Sequence, residues 1–321
     1  MDKITRQVKE MYEQYPFPSS NIINVAYGNR IRKDLQKRGF NLSNIKILDA
    51  GCGSGEKVTS LAKVFPDCEV VGWDITSASI EKAKQLASRE GVRNIRFECT
   101  NLLDLDSAKY KNYFDVIISW GVIHHLSDTV KGMRNLGLCL APTGVMYIWV
   151  YALVSLERIE TRFFREAIEI LLKKGGFSYE KGIKITNAIK GLLRTVNYSG
   201  GRDLLMRIKW FFDKDVDKKQ VVLHILKNFG RIKYTTDYDS NIVDSFLHAN
   251  EKDYDVEMIF KETEEAGLEI VDFLDIQQQI EKVVDSDYVK DLFYSLDLKD
   301  RLKVMERLTN PGHHLFLVRK K

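Results

Sequence analysis

Residues 47–55, Ile47-Leu48-Asp49-Ala50-Gly51-Cys52-Gly53-Ser54-Gly55, restrict the fold of this 321-residue chain more than any other stretch. An apolar run enters it, three glycines alternate through it, and a helical pattern from Glu56 to Phe65 leaves it. That is the pattern of a buried strand turning sharply into a helix. The missing side chains at Gly51, Gly53 and Gly55 let a ligand approach the backbone at the helix N-terminus.

The rest of the chain supplies a sheet to carry this turn. Cys68 to Asp74 is a second apolar strand ending in an acid, roughly twenty residues past the loop, where a neighbouring parallel strand sets a carboxylate beside a ribose. A helix over Ser77–Glu90, a third strand over Ile95–Cys99 and Asn101 at its exit follow. The fourth strand, Phe114–Trp120, opens into Gly121-Val122-Ile123-His124-His125-Leu126. A helix through Leu140 and a turn at Pro142-Thr143-Gly144 precede a fifth strand over Val145–Tyr151. Strands alternating with helices at this spacing predict a parallel, doubly wound sheet. Its ligand lies outside the carboxyl ends of the strands.

The loop, Asp74, the Thr100-Asn101-Leu102 segment and the Trp120–Leu126 exit together resemble the core of the class I S-adenosylmethionine (SAM) dependent methyltransferases over residues 45–151. The resemblance implies a Rossmann-like, mostly parallel seven-stranded α/β sheet with an antiparallel last pair and a helical insertion after the fifth strand. It also implies SAM as the cofactor. Asp49 and Gly51 would border the methionine part, and the Cys52, Gly53 and Gly55 backbone would complete the cradle. Asp74 would hold the ribose hydroxyls and Ile75 would face the adenine. Asn101 stands where the family commonly has aspartate and would accept from the adenine amino group, while Leu102 offers a backbone donor. Trp120 and Gly121 would lie under the sulfonium.

Each position also has a plainer role: Gly55 can serve helix–strand packing, Asp74 can cap the next helix, and Cys52 is a small loop residue. His124 and His125 titrate near neutrality beside the expected methyl group and are the candidate bases, with a local structural role open for at least one. His313 and His314 precede the last strand and suit packing or turn roles. No cluster has metal-ligand spacing.

Residues 1–40 are expected to form a helical, aromatic N-terminal segment. Tyr12-Glu13-Gln14-Tyr15-Pro16-Phe17-Pro18 is rigid and ring-rich, either a tail packed on the surface or a lid that touches the cofactor through Tyr12 and Tyr15. The core runs over 41–151. Residues 152–254 then break the alternation with helical patterns at Leu156–Lys174, Ile183–Val196, Arg202–Phe212 and Gln220–Asn228. Residues 255–321 resume it with a helix over Val256–Glu265, strands over Glu269–Leu274 and Leu315–Arg319, and helical segments between. The insertion is therefore the expected cap over the acceptor, with Trp210, Phe211, Tyr234, Tyr238, Phe246, His248 and Tyr254 as pocket or core residues.

A small-molecule acceptor is the first expectation. The alternative is RNA or protein, motivated by Lys173, Lys174, Lys181, Lys184, Lys190, Arg194, Arg202, Arg207 and Lys209 standing against Glu180 and Asp203. A non-catalytic SAM-binding regulator is a second alternative. A nucleotide-dependent oxidoreductase is disfavoured, because G-x-G-x-x-G would need glycine where Glu56 stands.

The net charge of +4 calls for no polyanionic partner by itself. The first residues lack a signal-peptide core, and the longest apolar run, Gly144–Val154, is too short to span a bilayer. The four cysteines form no C-x-x-C pair, as expected of structural thiols in a reducing, cytoplasmic setting.

Overall fold

The computed structural model describes every residue except 20–21, 107, 200–237, 275–279 and 281–283. The chain folds as two compact units, one of residues 1–159 and 249–321, the other of residues 160–248.

The first unit is built on a seven-stranded sheet. In chain order its strands are β1 (Lys46–Ala50), β2 (Glu69–Asp74), β3 (Ile95–Cys99), β4 (Phe114–Trp120), β5 (Leu140–Tyr151), β6 (Leu268–Phe273) and β7 (His313–Lys320). Across the sheet they run β3-β2-β1-β4-β5-β7-β6, parallel from β3 to β5 and antiparallel at β7. The order reverses between β1 and β4, which opens a crevice at their carboxyl ends. The loop after β1 sits at that point.

The strands read as near-continuous apolar runs because both faces are covered. Side chains alternate at period two between two cores. Leu48, Val71, Ile117, Met146 and Ile148 enter one. Ile47, Val70, Val116, Ile118 and Tyr147 enter the other.

Two strand starts differ from the sequence expectation. β5 begins at Leu140, not Val145, because Leu140 pairs with Phe114 before a shift in register; Pro142 and Thr143 are exposed within it. β7 begins at His313, so His313 and His314 are strand residues opposite Tyr151 and Val150 and do not form a turn. His314 is fully buried, its Nε2 3.0 Å from Glu306 Oε1.

The helices of this unit are α1 (Lys3–Gln14), α2 (Val25–Lys37), α3 (Glu56–Val64), α4 (Ser77–Arg89) and α5 (Thr129–Cys139), followed by α9 (Val256–Glu265), α10 (Asp287–Ser295) and α11 (Leu298–Thr309). Most start on a side-chain cap: Asp2 for α1, Asn24 for α2, Asp128 for α5, Asp255 for α9 and Asp297 for α11. The two helices that open onto the crevice have none of their own; α3 starts at Gly55 and α4 at Thr76.

Between β5 and α9 the described helices are α6 (Leu156–Gly175), α7 (Tyr179–Ser199) and α8 (Asp239–Phe246), and the described residues between them include short non-helical segments and an isolated bridge between Ala152 and Tyr254. Within the second unit Phe164 meets Phe246 edge-on at 4.9 Å. Gly182 brings α7 against α8, since a Cβ there would stand 2.6 Å from Leu247 Cδ1. The expected helices over Arg202–Phe212 and Gln220–Asn228, with Trp210, Phe211 and Tyr234, lie outside the described residues.

Candidate functional site

The turn after β1 is pinned to the end of β2. The Gly51 and Cys52 N–H groups both donate to the Trp73 carbonyl at 2.7 Å. Gly53 N–H donates to Asp74 Oδ2 at 2.9 Å. All three glycines have positive φ, 89° at Gly51, 51° at Gly53 and 93° at Gly55, so side chains there would be strained.

Space is closed as well. A Cβ on Gly51 would lie 2.2 Å from Val122 Cγ2, and one on Gly53 2.3 Å from the Phe17 carbonyl oxygen. A Cβ on Gly55 would meet Ala83 Cβ at 2.7 Å, so Gly55 seats α3 against α4. Cys52 is buried and its thiol is pushed well above its ordinary pKa by that burial, which keeps it protonated.

Asp74 ties this loop to the next helix. Its Oδ1 accepts from Thr76 N–H at 3.0 Å and Thr76 Oγ1 at 2.8 Å, while Oδ2 takes Gly53 N–H. Burial raises its pKa against those bonds. A carboxylate has about four acceptor positions, two on each oxygen, so Oδ2 keeps capacity for one more donor. Ile75 is half-buried, and its carbonyl accepts from Cys99 Sγ at 3.4 Å.

Asn101 is engaged at both ends of its amide. Its oxygen takes Leu103 N–H at 3.1 Å and its nitrogen donates to Asp104 Oδ2 at 2.7 Å. Leu102 is buried, and its carbonyl accepts from Asn135.

A second group forms at the crevice between β1 and β4. Asp49 is 2% exposed, and burial raises its pKa to about 7, opposed by the Lys57 ammonium. Lys57 Nζ stands 5.4 Å from the Trp120 ring centre and 6.0 Å from that of Tyr27. Tyr27 from α2 meets Trp120 edge-on at 5.2 Å, and its buried hydroxyl has no hydrogen-bond partner. Tyr27 and Lys57 carry no sequence signal. They are brought to Asp49 by the packing of α2 and α3 on β1 and β4.

Beyond Trp120 lies an aromatic row across neighbouring strands. Trp120 runs nearly parallel to Trp149 at 6.0 Å, and Trp149 stacks on His313 at 5.1 Å. Gly121, with φ of 77°, leaves the Trp149 edge open, the nearest atoms to a Cβ there being 3.8 Å away.

His124 lies 4.5 Å from Tyr151, fully buried, with both ring nitrogens lacking partners. Burial, then His125 and Arg158, pushes its pKa well below the usual range. His125 Nδ1 faces the Asn250 carbonyl at 3.0 Å. A carbonyl only accepts, so Nδ1 carries a proton there. Arg158 lies over the Tyr151 ring at 3.9 Å and pairs with buried Glu251 and Asp253.

The N-terminal segment is bonded to the core at three points, one of them on the glycine loop. Asp2 Oδ2 accepts from Ser127 Oγ at 2.8 Å. Glu13 accepts from Ser77 N–H and Ala78 N–H. The Phe17 carbonyl accepts from Ser54 N–H at 3.1 Å. Tyr12 and Tyr15 are half-buried in and after α1. Glu13, which sequence reasoning passed over, supplies the cap that α4 lacks.

Of the expected pocket residues in the cap, Phe246, His248 and Tyr254 are buried. Tyr254 donates to Glu262, and Tyr238 is exposed. Of the basic run, Lys184 pairs with Glu180 at 2.7 Å, while Arg202, Arg207 and Lys209 lie outside the described residues.

A family model described as a methyltransferase domain matches residues 41–177. An uncharacterised protein of Synechococcus sp. is 29% identical over 318 residues, 96% of this chain and 69% of that one. The malonyl-[acyl-carrier protein] O-methyltransferase of Bacillus anthracis is 29% identical over 131 residues, 41% of this chain and 46% of the enzyme. The ubiquinone biosynthesis O-methyltransferase of Histophilus somni is 30% identical over 161 residues, 47% of this chain and 63% of the enzyme. Among solved structures, PKMT2 from Rickettsia typhi in complex with AdoHcy aligns with a TM-score of 0.65 at 20% identity, covering 95% of this chain and 55% of that one. At that identity the likeness is one of fold. This chain spans about half the length of the Rickettsia protein and of the Bacillus enzyme.

Proposed function

We propose that this chain, which matches a methyltransferase-domain model over residues 41–177, is a class I SAM-dependent methyltransferase and transfers the methyl group of SAM to a small-molecule acceptor. The observation that carries the reading is Asp74, the acid at the end of β2, bonded to the backbone of a glycine turn with no room for a Cβ at Gly51 or Gly53. That combination suits a ribose held flat against backbone. Asp49 and Gly51 border the amino-acid end, Ile75, Asn101 and Leu102 the adenine, and Trp120 and Gly121 the reacting end. Residues 1–40, with Tyr12 and Tyr15, act as the lid, and 152–254 as the acceptor cap.

When bound, SAM supplies a methyl carbon already activated by a positive sulfur. The chain's own task is to align the acceptor, exclude water and take up a proton. Alignment alone supplies on the order of 7–11 kcal/mol. Trp120, Trp149 and His313 offer a flat apolar wall for that alignment. His125 is the base, held through Nδ1 by the Asn250 carbonyl at the exit of β4. His124, neutral and buried behind it, sets its position.

Among the described residues no helix is long and apolar enough to cross a membrane, and the four cysteines are free thiols; a cytoplasmic setting is part of the proposal.

Calorimetry with S-adenosylhomocysteine and NAD, followed by an acceptor screen with labelled SAM, tests the reading. Binding of S-adenosylhomocysteine and labelling of a small molecule are expected. Binding of NAD alone overturns it. Labelling confined to RNA or protein moves the acceptor to that class, and binding without any transfer marks a regulator.

A further inference from the structure

His125 sits on a single helical turn, Ile123–His125, that follows β4. The turn closes with two hydrogen bonds, His125 N–H to the Val122 carbonyl at 2.9 Å and Leu126 N–H to the Ile123 carbonyl at 3.1 Å. So short a turn has no further donors for its last carbonyls, which must be satisfied from outside it. They belong to His124, His125 and Leu126, and all three accept from one distant stretch of the first unit. Lys252 N–H donates to the His124 carbonyl at 3.0 Å. The Asn250 Nδ2 group donates to the His125 and Leu126 carbonyls at 3.1 Å each.

Residues 250–254 thus form a strap along the carboxyl ends of β4 and β5. Its far end is fastened by Tyr254 N–H to the Tyr151 carbonyl at 2.9 Å and by Leu153 N–H to the Tyr254 carbonyl at 2.7 Å. Its side chains alternate, as those of extended backbone do. Glu251 and Asp253 both reach Arg158, and Lys252 and Tyr254 both reach Glu262. That leaves the Asn250 side chain to meet the turn.

Asn250 holds His125 twice. Its side-chain amide donates to the His125 carbonyl, and its main-chain carbonyl accepts from the imidazole Nδ1 at 3.0 Å. Backbone and ring of one histidine are fixed by one residue 125 positions further along the chain. Serving two carbonyls from one nitrogen takes an NH₂ group; ionised aspartate has no donor and serine has one. The bond to the ring also decides where the imidazole proton sits, because only a protonated Nδ1 donates to a carbonyl.

We propose that Asn250 is the positioning residue of His125. Its amide locks the turn that carries the histidine, and the locked turn keeps the ring on the Asn250 carbonyl with a proton on Nδ1. This rests on the reading of His125 as the base and deepens it, since a base is made effective by a third group that orients it. Asn250 acts through His125 and is not itself a catalytic residue.

The test reads the imidazole by nuclear magnetic resonance and needs no acceptor. The full-length protein with isotope-labelled histidine is compared with Asn250→Ala and Asn250→Gln, and the His125 signals are identified by their loss in His125→Gln. In the unaltered protein, neutral His125 should favour the Nδ1-protonated form by about tenfold, the weight of one hydrogen bond in a closed site. Asn250→Ala should lower that ratio by about threefold or more. Asn250→Gln, which keeps the NH₂ group, should restore part of it.

A parent His125 protonated on Nε2 alone overturns the proposal. So does an Asn250→Ala protein that loses stability while its tautomer ratio stays parental, since a merely structural contact behaves that way. If Asn250→Ala does not fold, Asn250→Ser, with one donor in place of two, carries the comparison, and an unchanged ratio there counts against the assignment. The reading beneath fails separately. If His125→Gln transfers the methyl group at the parental rate to the acceptor returned by the labelled-SAM screen, His125 is not the base, whatever its tautomer.

Discussion

The carboxylate of Glu13, at the end of α1, accepts the Ser77 N–H at 2.9 Å and the Ala78 N–H at 3.0 Å, across 64 and 65 residues of sequence. It caps a helix that has no side-chain cap of its own and places a negative charge at the positive end of α4. Removing it should leave two N–H groups unpaired. Glu13→Ala is expected to lower unfolding stability by about 1 kcal/mol, and Glu13→Gln by less, because the amide oxygen still accepts. Urea denaturation checks this. A free energy equal to that of the parent in Glu13→Ala would show that α4 finds another cap.

Asp49 gives a pH dependence of definite sign. Its folded pKa is raised to about 7 by burial, against about 4 in an unfolded chain. Between those values the unfolded chain has released a proton that the folded one retains. Stability therefore falls as pH rises from about 4 to about 7 and stays low above that. Asp49→Asn removes the penalty. Its thermal midpoint should exceed the parent's at pH 8 and match it near pH 4.5, with the gain at pH 8 on the order of a few kcal/mol at most. The same variant should weaken S-adenosylhomocysteine, whose amino-acid end Asp49 is proposed to border. A midpoint difference independent of pH would contradict the assigned titration.

The sheet was legible because a strand buried on both faces must be apolar throughout; Ile47-Leu48, Val70-Val71 and Val116-Ile117-Ile118 can hardly be read otherwise. The glycine turn and Asp74 were legible because local backbone geometry leaves a local residue pattern. Tyr27, Lys57 and Glu13 were not, for the opposite reason. Each reaches its place through packing between segments far apart in sequence, and a tyrosine, a lysine and a glutamate on helix surfaces look ordinary until the helices are docked. By sequence the last strand starts at Leu315, after His313 and His314. Pairing with Tyr151 and Val150 extends β7 over both.

His124 should shape the acid limb of the stability profile. Its folded pKa lies well below the usual value, because burial, His125 and Arg158 all oppose a positive charge on it. An unfolded chain takes up that proton near pH 6.5. Stability from this group is thus complete above about pH 6.5 and declines as pH falls below it, where the unfolded state binds more protons. His124→Leu should flatten the profile between about pH 6.5 and 5, while His125→Asn leaves the His124 contribution in place. Chemical denaturation at a series of pH values reads this directly. Parallel profiles for His124→Leu and the parent would refute it.

Asp74 makes the sharpest prediction, since both of its oxygens face N–H donors. Oδ1 meets Thr76 N–H at 3.0 Å and Oδ2 meets Gly53 N–H at 2.9 Å. In Asp74→Asn one oxygen becomes an NH₂ group. Whichever way the amide turns, that group opposes a backbone donor and one N–H loses its acceptor. The variant should lose about 1–3 kcal/mol of stability although its shape is conserved. The loop then loses its anchor at Gly53 or the turn into α4 loses its anchor at Thr76. Either displaces the carboxyl end of β2 from the glycine turn, so S-adenosylhomocysteine should bind at least about tenfold more weakly. Stability and affinity must fall together here, because the atoms proposed to hold the ribose are those that hold the loop. A variant that unfolds earlier yet binds at parental strength would separate the two roles and leave Asp74 a purely structural residue.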